Sequence, residues 1–169
     1  DLEAMVDAVD EQTRVVFVAS PNNPTPYSLS NEALQWLVKA LPPHVLLCLD
    51  EAYSEYLDDP FDVRPFMAEG RPILGLRTFS KIYGLAGLRV GYGYGPEPII
   101  DLLRRARQPF CVNTLAQCAA LGALKDDLFV EQSRKSNREG LAQLESGLAA
   151  LGVEAKVGSA NFVLIRVDN

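Results

Sequence analysis

Short apolar runs recur through the first part of the chain, and most of them are rich in β-branched residues. Such runs are typical of buried strands, which carry apolar side chains on both faces of a sheet. The four runs are RVVFVAS at 14–20, VLLCLD at 45–50, ILGLRTF at 73–79 and RVGYGYG at 89–95. Each run is predicted to form a strand.

A helical pattern lies between the first two runs, in SNEALQWLVKAL at 30–41. Ser30 is a residue type that caps the amino terminus of a helix. Apolar residues then follow at helical spacing and predict one buried face. They are Leu34, Leu37, Val38 and Leu41. Strands that alternate with helices indicate an α/β fold with a mostly parallel sheet that is covered on both faces.

The second part of the chain is predominantly helical in pattern. Helices are predicted at 97–108, 113–124 and 126–151. Gly152 is a natural stop for the last of them, and NFVLIRV at 161–167 predicts a strand in a different layer. We therefore expect two units, the latter part of a large domain at 1–125 and an interdomain helix with the start of a small α/β domain at 126–169.

Composition excludes several functional classes. The chain has 169 residues, a formal net charge of -6 and 48% hydrophobic residues, and its longest basic cluster is RRAR at 104–107. Nucleic-acid binding is not expected, because phosphate backbones are bound by clustered positive charge. The amino-terminal segment 1–12 lacks a signal-peptide pattern, and no apolar stretch is long enough to span a bilayer. We expect a cytoplasmic protein without a membrane partner.

The cysteines and the histidine do not form a metal-binding pattern. Cys48, Cys111 and Cys118 lack the spacing of metal ligands, and His44 is the only histidine. We expect three free thiols and no metal. Because the sequence starts at Asp1 without a methionine and stops directly after a predicted strand, we also expect it to be a piece of a larger protein.

Polar residues follow the first three predicted strands. They are SPNNPTP at 20–26, DEAYSEY at 50–56 and TFSK at 78–81. In an open α/β sheet the carboxyl ends of the strands gather at one rim, where ligands bind. An amide, a carboxylate with a phenol, hydroxyls and a lysine are thus expected to converge there.

Lys81 is the most informative member of this set. A lysine at the carboxyl end of a buried strand is placed to attack a carbonyl and form a Schiff base. Pyridoxal phosphate (PLP) also suits the other groups, since its ring nitrogen needs a carboxylate and its phosphate needs hydroxyls and an arginine.

Three segments, in their order and separation, resemble the PLP-dependent aminotransferases of fold type I. They are SPNNPTP, LDEAYSEY and RTFSKIYGLAGLRVGY, which together reach from 20 to 92. Within that family, LAGLRVGY at 85–92 and QPFCVNTLAQCAALGAL at 108–124 are most similar to histidinol-phosphate aminotransferases. The resemblance covers nearly the whole chain and implies an aspartate aminotransferase-like large domain.

The resemblance also implies roles for individual residues. Lys81 corresponds to the lysine that binds PLP covalently and then moves the proton between the substrate Cα and the cofactor C4′. Asp50 corresponds to the carboxylate that faces the pyridine nitrogen, while Asn23 and Tyr53 correspond to the two groups that bind the phenolic oxygen. The residues corresponding to the phosphate site are Thr78, Ser80 and Arg89.

Two loops around these residues raise further expectations. Gly84 and Gly87 are expected to let the loop after Lys81 turn back and deliver Arg89. The family usually has NPTG where this chain has NPTP. Pro26 cannot take a positive φ, so the loop after Asn23 is expected to differ from the family's loop.

Other interpretations of the motifs remain. Taken alone, Asp50 is compatible with a simple cap of the next helix, and Asn23 with ordinary turn chemistry. A Ser-x-x-Lys hydrolase is disfavoured, because position 78 is threonine. GYGYG at 91–95 does not match a nucleotide-binding glycine pattern, and its glycines more simply allow close approach of a neighbouring strand.

The resemblance implies a ping-pong transamination of small amino acids and 2-oxo acids, with histidinol phosphate and 2-oxoglutarate as the expected substrates. An aromatic amino-acid aminotransferase, a threonine-phosphate decarboxylase or a catalytically inert fragment are the alternatives. A homodimer is expected for the full-length protein.

Overall fold

The computed structural model describes residues 1–167 and is built around a four-stranded sheet. Its strands are β1 (Val15–Ala19), β2 (Leu46–Asp50), β3 (Ile73–Thr78) and β4 (Gly91–Tyr94). They lie in the order β1-β2-β3-β4, and only β4 runs antiparallel to its neighbour. The predicted α/β class and mostly parallel sheet are therefore confirmed, as are all four predicted strands.

Helices connect and follow these strands. They are α1 (Leu2–Asp7), α2 (Asn31–Ala40), α3 (Arg64–Ala68), α4 (Glu97–Ala106), α5 (Thr114–Ala123) and α6 (Asp127–Ala150), with short 3₁₀ turns at Ser54–Tyr56 and Ala86–Leu88. The predicted cap of α2 is present, because the Ser30 side chain accepts a hydrogen bond of 3.2 Å from the Ala33 amide. This bond satisfies an amide that the helix itself leaves without an acceptor.

The main core lies where α2 packs on the sheet. All four predicted apolar positions of the helix are buried, and they belong to one cluster with the buried side chains of β1, β2 and β3. β2 is enclosed from Leu47 to Leu49, as expected for a central parallel strand. At β1 the expectation of two covered faces is wrong, because Val16 and Val18 are buried whereas Phe17 is 71% exposed. Within residues 1–167 only one side of β1 is covered.

A second, two-stranded sheet follows the long helix α6. Gly152 ends that region with a φ of 70°, as its helix-stopping role predicts. β5 (Ala155–Val157) then pairs antiparallel with β6 (Val163–Ile165), so the strand expected at 161–167 is present and shorter. The predicted division at 125/126 stays a prediction, and residues 168–169 of its second unit lie outside the described residues.

Candidate active site

The carboxyl ends of β2 and β3 form the floor of a cleft of about 420 Å³. The parallel pairing of the two strands brings their last residues to the same edge of the sheet. Five of the seven predicted site residues line this cleft. They are Asp50, Thr78, Ser80, Lys81 and Arg89.

The two remaining predicted site residues, Tyr53 and Asn23, contact each other, and Tyr53 also contacts Lys81 of the cleft. The Asn23 side-chain amide donates a hydrogen bond of 2.8 Å to the Tyr53 phenolic oxygen. On the ring of the same tyrosine, the Lys81 ammonium nitrogen lies 5.1 Å from the ring centroid, within the range of a cation–π contact. Three residues from three different loops thus meet at one buried phenol.

Asp50 is an exposed carboxylate at the end of β2. The 3₁₀ helix that follows, Ser54–Tyr56, has no side-chain cap, so Asp50 does not cap it. The Asp50 Oδ1 atom instead accepts a hydrogen bond of 2.9 Å from the Ala52 amide. The same bond fixes the direction of the carboxyl group at the rim of the cleft. The chain also turns directly after Asp50, because the Ser54 amide donates to the Glu51 carbonyl at 3.0 Å.

Ser80 and Arg89 stand together at the predicted phosphate position. The Arg89 Nη1 atom donates to the Ser80 hydroxyl at 3.4 Å and to the Ala86 carbonyl at 2.8 Å. The Thr78 hydroxyl accepts a bond of 3.0 Å from the Ser80 amide. A cation and two hydroxyls gathered in this way suit an anionic group with several acceptor oxygens.

The loop between Lys81 and Arg89 turns back in a manner that differs in part from the expectation. Gly84 has a φ of 68°, as predicted, and its amide donates to the Lys81 carbonyl at 3.0 Å. For Gly87 the prediction is wrong: it lies in a 3₁₀ turn, and an added Cβ would meet nothing within 4 Å. Arg89 itself takes the left-handed conformation, with a φ of 54°. The left-handed conformation of Arg89 is therefore part of the turn that this loop makes.

Glycines of β4 allow this strand to approach β3 closely. A Cβ on Gly91 would lie 2.7 Å from the Arg77 carbonyl, and one on Gly95 would lie 2.7 Å from the Ile73 carbonyl. These distances are shorter than a carbon and an oxygen tolerate. Both positions therefore require glycine, as the simpler interpretation of GYGYG predicted.

Pro26 lies in a loop that still brings Asn23 to Tyr53. The loop is closed by a hydrogen bond of 2.8 Å from the Asn22 amide to the Tyr27 carbonyl. The buried Pro26 places its carbonyl against Gly158, where an added Cβ would overlap it. The segment between β5 and β6 thus packs directly on the Asn23 loop.

Several residues around the site were not predicted from the sequence. Phe162 places its ring edge on the Tyr53 ring, with the centroids 5.4 Å apart. Glu51 and Arg77 form a largely buried ion pair at 3.2 Å, next in sequence to Asp50 and Thr78. Their positions beside predicted site residues were the only available signal.

Burial and charge shift the pKa values of this cluster. Burial raises the pKa of Glu55, although the nearby Arg77 guanidinium opposes the shift. Burial alone would lower the pKa of Arg77, but the hydrogen bonds and charge of Glu51 outweigh it and raise that pKa. Burial also raises the pKa of Tyr94, whose hydroxyl donates to Glu51. The guanidinium therefore stays charged, and Tyr94 stays a neutral donor.

A larger cavity of about 660 Å³ is lined by Lys81 and by residues of α6. Polar side chains of α6 and of the loop before β6 line it. They are Gln132, Ser133, Ser136, Asn137 and Asn161. Lys81 therefore borders both the cleft and this cavity.

Comparison with known proteins identifies the class to which this fold and site belong. Residues 1–168 match the family model described as aminotransferase class I and II. The chain belongs to the class I and II aminotransferase family.

Individual relatives are consistent with this assignment. The chain is 48% identical over 170 residues to histidinol-phosphate aminotransferase 1 of Nitrosococcus oceani, and it spans 99% of its own length but 46% of that relative. The structure of histidinol-phosphate aminotransferase from Sinorhizobium meliloti in complex with pyridoxal-5'-phosphate superposes with a TM-score of 0.91 at 29% identity, covering 98% of this chain and 45% of that one. Aspartate aminotransferase from Thermus thermophilus with maleate gives a TM-score of 0.85 at 31% identity over the same shares of the two chains, 98% and 45%.

Residues 1–167 contain neither a membrane-spanning helix nor a metal-binding cluster. The helices in that range include none that is long and apolar enough to cross a bilayer. The same residues contain no group of three or more histidine, cysteine, aspartate or glutamate side chains placed to hold a metal ion.

Proposed function

We propose that the full-length protein is a PLP-dependent aminotransferase and that this chain supplies the lysine side of its cofactor site. The observation that carries the proposal is that Lys81, Asp50 and the hydrogen-bonded Ser80–Arg89 pair line one cleft. Each of these groups matches one chemical feature of PLP, namely its aldehyde, its ring nitrogen and its phosphate.

The donor set fits PLP in its polarity as well. The Tyr53 hydroxyl accepts from the Asn23 amide, which leaves the phenolic proton free to donate to the cofactor's own phenolic oxygen. Arg89 and Ser80 form a charge-assisted site for phosphate. When bound, PLP supplies an electron sink for the pair of electrons left at the substrate Cα.

The chain's own residues then have distinct tasks. Asp50 keeps a proton on the ring nitrogen by facing it with a negative charge. Lys81 binds the cofactor and later moves a proton between the substrate Cα and the cofactor C4′. Its presence in the lining of both the cleft and the larger cavity supports both tasks, since one amine must reach cofactor and substrate.

We further infer that the substrates are histidinol phosphate and 2-oxoglutarate. Support comes from relatives named histidinol-phosphate aminotransferase, which are 44% to 48% identical to this chain. Because the chain spans less than half of these relatives, the activity is assigned to the full-length protein. We place that protein in the cytoplasm as a homodimer, with 1–125 in a large domain and 126–169 at the start of a small one.

Borohydride labelling tests the cofactor assignment. The full-length protein is loaded with PLP and reduced, which makes the bond between lysine and PLP permanent, and the modified peptide is located by mass spectrometry. One adduct per chain is expected at Lys81. Lys81→Ala should abolish it, and the exposed Lys135→Ala should leave it unchanged. Stoichiometric labelling at a different lysine, or none, would show that the proposal is wrong.

Substrate competition tests the reaction. The value of kcat/KM is compared for histidinol phosphate and phenylalanine, and carbon dioxide release is measured with threonine phosphate. The highest kcat/KM is expected with histidinol phosphate. Preference for phenylalanine would support the aromatic aminotransferase alternative, and carbon dioxide release the decarboxylase. Adduct formation without turnover of any substrate would support an inert protein.

A further inference from the structure

Segment 50–55 carries both residues that line the cleft and residues that are buried. Asp50 lines the cleft and Tyr53 contacts Lys81. Glu51 and Glu55 are buried, with side-chain exposures of 3% and 9%. Two buried carboxylates are costly unless something holds them. The residue that pairs with both carboxylates therefore shows how segment 50–55 is held in place.

That partner is Arg77, which contacts both carboxylates. Its Nε and Nη2 atoms donate to the two oxygens of Glu51 at 3.2 and 3.4 Å, and its Nη1 atom donates to Glu55 at 3.4 Å. A guanidinium forms such a fork because its five N–H donors are coplanar and point in fixed directions. The single charge at Arg77 thus holds segment 50–55 at two points.

Arg77 also belongs to the strand that carries the other half of the site. Arg77 and Thr78 are neighbours at the end of β3, and both border the cleft. Ser80 and Lys81 follow directly. One guanidinium therefore connects the two segments that carry the predicted ring, phosphate and lysine groups.

Tyr94 completes this arrangement from β4. Its hydroxyl donates to Glu51 Oε2, and its ring lies beneath the Arg77 guanidinium at 5.8 Å. The ring crosses β3 at Gly75, where an added Cβ would overlap it. With Tyr94, every oxygen of Glu51 has a donor, so the Glu51 carboxylate has one defined orientation.

We propose that Arg77 is a positioning residue that sets segment 50–55 against the end of β3 and so fixes the geometry of the cofactor site. This inference rests on the proposed function for its ligand, PLP, but not for the contacts that carry it. A residue that only stabilises the fold would change the melting temperature and leave the properties of bound PLP unchanged. A positioning residue changes the properties of bound PLP even in a folded variant.

Arg77→Lys in the full-length protein tests this proposal. Lysine keeps the charge but is a single compact donor group, and it does not span Glu51 and Glu55 together. The matched control is Arg64→Lys, because Arg64 makes a similar forked pair with Asp62 and its side chain is 78% exposed. Each variant removes one guanidinium from an ion pair. Arg77→Lys does so on β3, and Arg64→Lys does so on α3.

Three measurements separate the variants. They are the Kd of PLP by absorbance titration of the PLP-free protein, the pH at which the visible band of bound PLP changes, and hydrogen–deuterium exchange of residues 50–56 without PLP. Arg77→Lys is expected to weaken PLP binding about tenfold, as for the loss of one charged hydrogen bond. It should also shift the pH of the spectral change and speed exchange in 50–56, whereas Arg64→Lys should match the parent protein.

An Arg77→Lys protein that melts lower but equals Arg64→Lys in Kd and pH profile would overturn the proposal. Should Arg77→Lys fail to fold, Glu51→Gln replaces it, because it keeps the shape of the side chain and removes the charge at the main contact. The same changes are then expected, and an unchanged Kd would again overturn the proposal. Failure of the proposed function is seen separately, as absence of the Lys81 adduct in the parent protein.

Discussion

The side-chain amide of Asn23 donates a hydrogen bond of 2.8 Å to the phenolic oxygen of Tyr53, 30 positions further along the chain. The bond joins the loop after β1 to the turn after β2. Phe162 packs on the ring of Tyr53, and Lys81 also contacts that ring. Together with Asn23, three separate parts of the chain therefore hold Tyr53. A side chain held in this way has little freedom to lose when a ligand binds, which favours affinity.

The Asn23–Tyr53 bond predicts non-additive effects on stability. Asn23→Ala and Tyr53→Phe should each lower the free energy of unfolding by about 1 kcal/mol, the usual net value of such a bond. The double variant should cost less than the sum of the two, because either change already breaks the bond. Urea denaturation of all four proteins without PLP checks this. Strict additivity would mean that the bond contributes nothing.

Arg89 should act on the phosphate of PLP and on no other part of it. Arg89→Gln is expected to weaken PLP binding by about tenfold or more, as charged hydrogen bonds are worth about 1.5–3 kcal/mol. Binding of pyridoxal, which lacks the phosphate, should be unchanged. The two Kd values are measured by absorbance titration. Equal weakening of both ligands would remove Arg89 from the phosphate site.

Asp50 should be needed for turnover more than for binding. Asp50→Asn removes the negative charge opposite the ring nitrogen, and loss of such an electrostatic group lowers kcat by about a hundredfold. The Kd of PLP should change much less, since the phosphate contacts remain. Steady-state kinetics and PLP titration of the same preparation test this difference. Parent-like kcat in Asp50→Asn would refute the assignment.

Replacement of Gly75 by alanine should destabilise the sheet. Gly75→Ala places a Cβ in the ring of Tyr94, and crowding of this kind costs about 1–3 kcal/mol. In α6, an added Cβ on Gly140 meets nothing within 4 Å, so Gly140→Ala should stabilise by about 0.5–1 kcal/mol through helix propensity. Thermal unfolding of the two variants should therefore shift in opposite directions.

Glu55 should make stability depend on pH. Because burial raises its pKa above the ordinary value of 4.5, the folded protein keeps the Glu55 proton at pH values where the unfolded chain releases it. The contribution of Glu55 to stability is then complete below about pH 4.5 and falls as pH rises through its folded pKa. Glu55→Gln lacks this dependence, so its stability relative to the parent should be higher at pH 8 than at pH 4. The urea midpoints of Glu55→Gln and the parent protein are compared at both pH values. A difference between the two proteins that is the same at pH 4 and pH 8 would contradict this prediction.

The strands, the capped helix α2 and most of the site were predictable because their signals are local. The apolar face of α2 follows from four residues at helical spacing, and the cap from one serine before it. Polar residues directly after buried strands must lie at the sheet rim, because the strand direction is set by the alternation of strands and helices. For the same reason Asp50, Ser80 and Lys81 were expected to share one cleft, and they do.

The sequence by itself therefore determined the α/β class, the order of the elements and the chemical groups at the rim, since each depends on neighbours a few positions away. Only the tertiary structure decided how these groups are held. The Arg77 contacts with Glu51 and Glu55, the ring of Phe162 on Tyr53 and the left-handed conformation of Arg89 depend on side chains that approach from distant segments. Such contacts are set by packing of the whole chain, and no local pattern of residues encodes them.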